Sequence, residues 1–294
     1  DNPVYKIVDY LANTPEWLVN LLSKHDERIF RYQDMMLWDL CDAFLRDGLV
    51  VDIPANKVSG KPLEIMFTGH DGTVTMPRLV IRLGEGADLT VIEHHKGQGR
   101  YWNNGLSQII VGPNARLRHY RIQDNDARAV HTQNTAVRLM RDACYESFTL
   151  TTGAALSRHQ IHAVLEETNA HCDIAGINLL RGAQHGDTTV EIEHRAAHGV
   201  SRQLVRSVLD DQAHGVFQGK ICVHRDAQKA DGNQVSNALL LAEGAEMDTR
   251  PELEIYADDV KCAHGATTGQ LENEPMFYLR SRGLSEEEAR MLLI

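Results

Sequence analysis

The chain of 294 residues is short of positive charge, of aromatic side chains and of long apolar runs, and each shortage closes off a class of function. Lys and Arg number 30 against 41 Asp and Glu, giving a net charge of -11. Such a surface repels phosphate backbones and anionic headgroups, so neither nucleic acid nor a membrane is expected as the main partner. No apolar run approaches the ~18 residues that a bilayer span needs, and Ala238–Ala242 (ALLLA) is typical of those present. No signal-like segment is evident, although the chain opens on Asp1 rather than Met. Five scattered cysteines without a C-x-x-C argue against a disulfide framework and against a self-contained zinc or redox motif. A reducing, cytoplasmic setting is therefore expected. Sequences of the type G-x-x-x-x-G-K-[ST], G-x-S-x-G and H-E-x-x-H are also missing, so the chain shows no sign of hydrolysing nucleotide itself.

What is present changes character along the chain. The first 48 residues read as helical. Thr14-Pro15-Glu16 is a helix start, Trp17, Leu18, Leu21 and Leu22 repeat at helical spacing, and a second helix carries Leu37, Leu40, Cys41, Phe44 and Leu45 up to a stop at Gly48. From residue 49 to 265 short runs such as Leu63–Phe67, Leu79–Leu83 and Gln108–Val111 alternate with Gly, Asn and Asp, which predicts many short strands and excludes a doubly wound fold. GADLTVIE at Gly86, NARLRHYR at Asn114 and DACYESFT at Asp142 recur at intervals of ~28 residues. NAHCDIAG at Asn169 and GAEMDTRP at Gly244 resemble later copies. Stacked coils of a β-solenoid explain such a period, because one coil cannot bury its face alone; a sandwich with chance spacing fits it equally well. Residues 266–294 turn helical again, with a capping box at Ser285–Glu288. The apolar end Met291–Ile294 reads as a helix cut short, or one that docks on something else.

Candidate chemistry is sparse. Among the 15 histidines, His94 and His95 point to opposite faces of a strand, as do His159 and His162, and single histidines are more often structural than ligating. Cys144 and Cys172 lie one repeat apart and could stack in adjacent coils, but a buried structural thiol is the better reading of each. The acid pairs Asp210-Asp211 and Asp258-Asp259 would suit a carbohydrate-cleaving β-helix enzyme, which is the alternative reading, but adjacent acids diverge in a strand and acidic turns are common. Cys262 and His264, spaced i and i+2, share a strand face and could approach one ion. A stable zinc or iron–sulfur site needs three or four ligands and no local residue completes this one. The pair is structural, or another chain supplies the rest.

Two segments carry a family likeness. Ala245–Arg290 (AEMDTRPELEIYADDVKCAHGATTGQLENEPMFYLRSRGLSEEEAR) and Gly219–Leu241 (GKICVHRDAQKADGNQVSNALLL) resemble the SufB/SufD family of iron–sulfur cluster assembly proteins, on its SufD side because of the Lys-Cys-x-His-Gly arrangement. The resemblance implies a right-handed parallel β-helix core flanked by N-terminal and C-terminal helical regions, which favours the solenoid over the sandwich. It implies a non-enzymatic scaffold that pairs with a SufB-like subunit through the β-helix and binds a SufC-like ATPase through the C-terminal helices, where Tyr278, Arg280 and Arg282 would face SufC. His264, with Cys262 as the neighbouring thiol, would be half of a site shared with SufB. There transient iron or a nascent cluster is held, and this chain alone binds no cofactor stably. A homodimer of the isolated chain is a further expectation. Ala263 stands where the family commonly has Ser, and Pro275 interrupts the run before the FYLRSRG helix.

Overall fold

The computed structural model describes residues 4–11, 14–23 and 36–294. Among these, the chain order is β1 (Val4–Lys6), α1 (Ile7–Leu11), α2 (Glu16–Ser23), α3 (Met36–Ala43), then β2 (Gly48–Ile53), β3 (Leu63–His70), β4 (Val74–Thr75), β5 (Arg78–Leu83), β6 (Asp88–Gln98) and β7 (Trp102–Val111). It continues through β8 (Arg116–Asp124), β9 (Val130–Leu139), β10 (Cys144–Thr151), β11 (Leu156–Leu165), β12 (His171–Leu180), β13 (His185–His194) and β14 (Val200–Leu209). β15 (His214–Val223), β16 (Asp231–Leu240), β17 (Glu246–Ile255), β18 (Lys261–Gln270), α4 (Asn273–Ser281) and α5 (Glu286–Leu293) follow. Successive strands alternate between two sheets. One runs β1-β2-β5-β7-β9-β11-β13-β15-β17, with β4 also on β7, and the other runs β18-β16-β14-β12-β10-β8-β6-β3. Apart from the antiparallel β1–β2 pair, neighbours are parallel and in register. The result is a parallel β-solenoid of about eight turns with short helices at both ends, as the resemblance implied.

The repeat seen in the sequence is the turn that opens six of the eight strands of the second sheet, β6, β8, β10, β12, β14 and β16. Gly86, Asn114, Asp142, Asn169, His198 and Lys229 all have positive φ, and the next residue is small and buried: Ala87, Ala115, Ala143, Ala170, Gly199 and Ala230. Asn, Asp and Gly tolerate this left-handed backbone best, which is why they mark the period. Each of these turn residues donates its N–H to a carbonyl of the next coil's turn, for example Gly86 to Pro113 at 2.9 Å and Asn114 to Arg141 at 2.9 Å. The copy at Gly244 is the exception. It precedes β17, in the other sheet.

Alternate residues of both sheets meet in an apolar interior that includes Leu89, Leu117, Ile161, Val190, Val205 and Phe217. Each such side chain contributes about 2 kcal/mol by leaving water. Helices α1 and α2 cover the outer face of β2 and β5, where Ile7 and Leu18 pack on Val50 and Val80. Trp38 and Cys41 of α3 sit on Leu106 and Ala136 of β7 and β9, with buried Arg78 ion-paired to Asp42. Gly48 opens a strand rather than stopping a helix; a side chain there would come within 2.4 Å of the Arg78 carbonyl oxygen. The last strand runs on to Gln270, past position 265, and Pro275 lies in the first turn of α4, where backbone N–H groups have no helical partner to lose.

Candidate functional site

The solenoid ends in two open strands. β17 and β18 are the last members of their sheets, and nearly every residue of β18 is exposed. In β16, Gly232, Gln234, Ser236 and Ala238 point into the lumen and are buried. The register stacks Cys262 on Gly232, His264 on Gln234, Ala266 on Ser236 and Thr268 on Ala238. Cys262 and His264 therefore share the lumen-facing side of an edge strand. The thiol is half-buried against the apolar group of Ile221, Val223, Ala230 and Leu253, while the imidazole is exposed. Burial pushes the Cys262 thiol above its ordinary value, so it needs a metal ion or a cationic partner to become a good ligand. Beneath His264, wholly buried Gln234 has no hydrogen-bond partner among the described residues at either end of its amide.

The backbone of these edges differs between the sheets. Lys261 donates its N–H to Ala230 at 2.8 Å, so parallel pairing directs the odd-numbered residues of β18 to β16. The N–H groups of Cys262, His264, Ala266 and Thr268 face the open edge. On β17, Glu246 donates to Ala213 at 3.0 Å, which makes the odd-numbered residues the outward ones and places the nitrogen of Pro251 at the open edge. Proline there removes no ladder bond within the sheet, yet it blunts that edge against a further strand. The edge of β18 carries no proline.

Tyr278 and Arg280 lie on α4 and Arg282 follows it; all three are exposed, well away from any bond to the lumen. Arg282 stacks over the Tyr278 ring at 5.2 Å and Arg280 reaches Glu286 at 3.5 Å. Phe277, Met291 and Leu292 add an apolar exposed surface, with Phe277 at 74%. Ser285 and Glu288 form the reciprocal capping box, and Arg290 ties α5 to Asp210 at 3.1 Å.

Other readings fare differently. Cys144 and Cys172 do not stack: Cys172 pairs with Tyr145 in the lumen, whereas Cys144 pairs with His171 on the outer side, one position out of phase. Asp211 is a positive-φ turn residue and Asp259 pairs with Lys229, so these acids shape turns. His94 and His95 do point apart, but His95 joins a buried polar group that single-residue reasoning missed. Glu93 accepts from His95 at 2.7 Å and from His119 at 2.6 Å, and His119 meets the Tyr145 hydroxyl at 3.0 Å. Arg121, stacked on Glu93, contacts His131 and His159. Burial opposes the charge on Glu93, but His119 and His95 outweigh it and hold the carboxyl well below its usual range. Burial, reinforced by Arg121, brings His95 down to about 4. Burial lowers Arg121 to about 10. Glu93 is thus held by two imidazoles, and Arg121, in register with it one coil on, contacts two others.

The final coil of this parallel β-solenoid thus presents a thiol–imidazole pair on an edge strand. The chain belongs to the SufBD family: the SUF system FeS cluster assembly SufBD core domain matches residues 66–294. It is 36% identical over 269 residues to an iron–sulfur cluster assembly SufBD family protein of Synechocystis sp., covering 87% of this chain and 59% of that protein. It is 35% identical over 241 residues to iron–sulfur cluster assembly protein SufD of Escherichia coli, covering 80% of this chain and 57% of that protein. Protein ABCI7, chloroplastic, of Arabidopsis thaliana is 30% identical over 271 residues, with 88% and 57% covered. The chain thus spans less than two thirds of the length of these relatives. Among the described residues, no helix is long and apolar enough to cross a membrane.

Proposed function

We propose that the chain acts as a cytoplasmic, non-enzymatic scaffold subunit of the SUF machinery, pairing with a SufB-like subunit through the β18 edge. The observation that carries this is the placement of Cys262 and His264 on the lumen-facing side of an unpaired edge strand. Two ligands are too few for a stable iron or iron–sulfur site. A partner strand laid along β18 would bring its own ligands to the same face and cover the Gln234 amide. Iron, and the cluster growing from it, are the cargo of that shared site and are not retained by this chain alone. The exposed apolar side chains of α4 and α5, with Arg280 and Arg282 beside them, would receive a SufC-like ATPase, which supplies the nucleotide hydrolysis for which this sequence has no motif.

Co-expression with SufB-like and SufC-like subunits, followed by anaerobic reconstitution, tests the reading. His264→Ala is expected to leave the complex mass unchanged and to remove most of the cluster absorbance, with Cys262→Ala showing a smaller loss. An intact complex carrying a full cluster in His264→Ala would reduce the pair to strand-end structure.

A further inference from the structure

The outer face of the first sheet carries a second cluster of metal-type donors, remote in register from the edge pair. β11 and β13 set His162 directly beside Glu191, and Glu193 follows two residues on, on the same face. One ligand atom from each of the three lies within 4.8 Å of the other two. Glu191 and Glu193 line an open groove of about 930 Å³, together with Glu166, Glu167 and Asp226 against Arg138, Arg195 and Lys220, and His162 lies buried behind them. Carboxylates outnumber cations there. His162 is 1% exposed, so its imidazole is held as part of the wall and does not swing in solvent.

The hydrogen bonds already divide the donors in the way a metal site requires. Glu193 uses Oε2 for Arg195, at 3.0 Å, and for His224, at 3.1 Å, while its Oε1 meets His162 Nε2 at 3.1 Å. A cation entering between Oε1 and Nε2 replaces that one contact and leaves Arg195 and His224 to orient the carboxylate from behind, as outer partners of metal ligands do. Glu191 is ion-paired with Lys220 at 3.3 Å, but Lys220 also reaches Glu254 at 3.0 Å and stays paired when Glu191 is given up. Within the salt-bridge network of Glu193, Arg195 and Glu166, the buried His162 imidazole is aimed at the one carboxylate oxygen of Glu193 that Arg195 leaves alone. One imidazole and two carboxylates suit a divalent first-row ion of intermediate character. We propose that His162, Glu191 and Glu193 bind one such ion, of the Fe(II), Mn(II) or Co(II) class, on the outer wall of the solenoid. The site is complete within this chain and does not depend on pairing through β18.

The test titrates chelator-treated chain, without partners, with Co(II) followed by visible absorbance, and with Fe(II) under anaerobic conditions. One ion per chain is expected. Glu191 is half-exposed, so Glu191→Gln keeps the thermal midpoint while weakening binding by ~10-fold or more, since even outer-partner losses cost that much. Lys220→Gln, which removes the competing cation, is expected to tighten binding several-fold, a change that a purely structural role would not produce. Cys262→Ala and His264→Ala are expected to bind as wild type. Wild-type affinity in Glu191→Gln overturns the proposal, as does the lack of one-to-one binding, and as does binding that is lost only with His264→Ala.

Discussion

At the scale of single residues, Glu93 and Arg121 are opposite charges in register in neighbouring coils, buried in the lumen among imidazoles. Desolvating two ions costs several kcal/mol each, and their attraction offsets this only while both are present and fully hydrogen-bonded. Glu93→Gln is therefore expected to destabilise the chain by about 3–5 kcal/mol, because it removes the opposite charge in register with buried Arg121 and weakens the acceptor of His95 and His119. Replacing both, as Glu93→Met with Arg121→Met, is expected to return most of that loss, which urea unfolding at constant m-value would measure. The pairing was legible in principle. Glu93 and Arg121 are each the eighth residue of their repeat copies, GADLTVIE and NARLRHYR, so stacking the copies superposes them. Reading the histidines one at a time hid this, because His119 and His95 belong to different coils and meet only through Glu93. The donors His162, Glu191 and Glu193 were hidden for the same reason: they are one coil apart, and no local motif joins them.

At the scale of elements, strand positions follow the alternation of apolar residues closely, and Cys262 and His264 share a face because β18 is regular. Less legible were features that depend on partners in space. β1 is held by its antiparallel pairing with β2, and the boundary at Gln270 is set by the length of β16 alongside. The phase of β18 yields a sharp prediction. Ala266 sends its N–H to the open edge, whereas Thr267 sends its own to β16. Ala266→Pro is expected to change stability by no more than about 1 kcal/mol while abolishing co-purification with a SufB-like partner. Thr267→Pro is expected to cost ~3 kcal/mol or more by breaking a bond of the ladder itself. Equal effects of the two substitutions on thermal midpoint and pairing would count against strand addition at β18.

At the scale of the whole molecule, a solenoid distributes stability over neighbouring coils, and here several coils depend on imidazoles that are kept neutral. Burial brings His194 down to about 4, and burial together with Arg121 does the same for His95. His131 and His159 are held well below their ordinary value by burial and by Arg121. In the unfolded chain these groups take up a proton near pH 6.5, their ordinary value, while the folded chain refuses it until pH falls to about 4 for His95 and His194. Between those limits the unfolded state binds more protons, so stability is fully present above pH 6.5 and declines as pH falls toward 4. Each such histidine contributes on the order of 1 kcal/mol per pH unit across that window. Because His95, His131 and His159 gather around Arg121, their losses fall on the same coils and should appear as one cooperative transition. Thermal midpoints recorded from pH 7.5 to 4.5 at fixed ionic strength are expected to drop steeply below pH 6.5. In His95→Asn, which keeps a polar group beside Glu93 but cannot titrate, the slope is expected to be shallower. A midpoint independent of pH across this interval would mean that the lumen admits protons without cost, and the neutral-imidazole account of the core would fail.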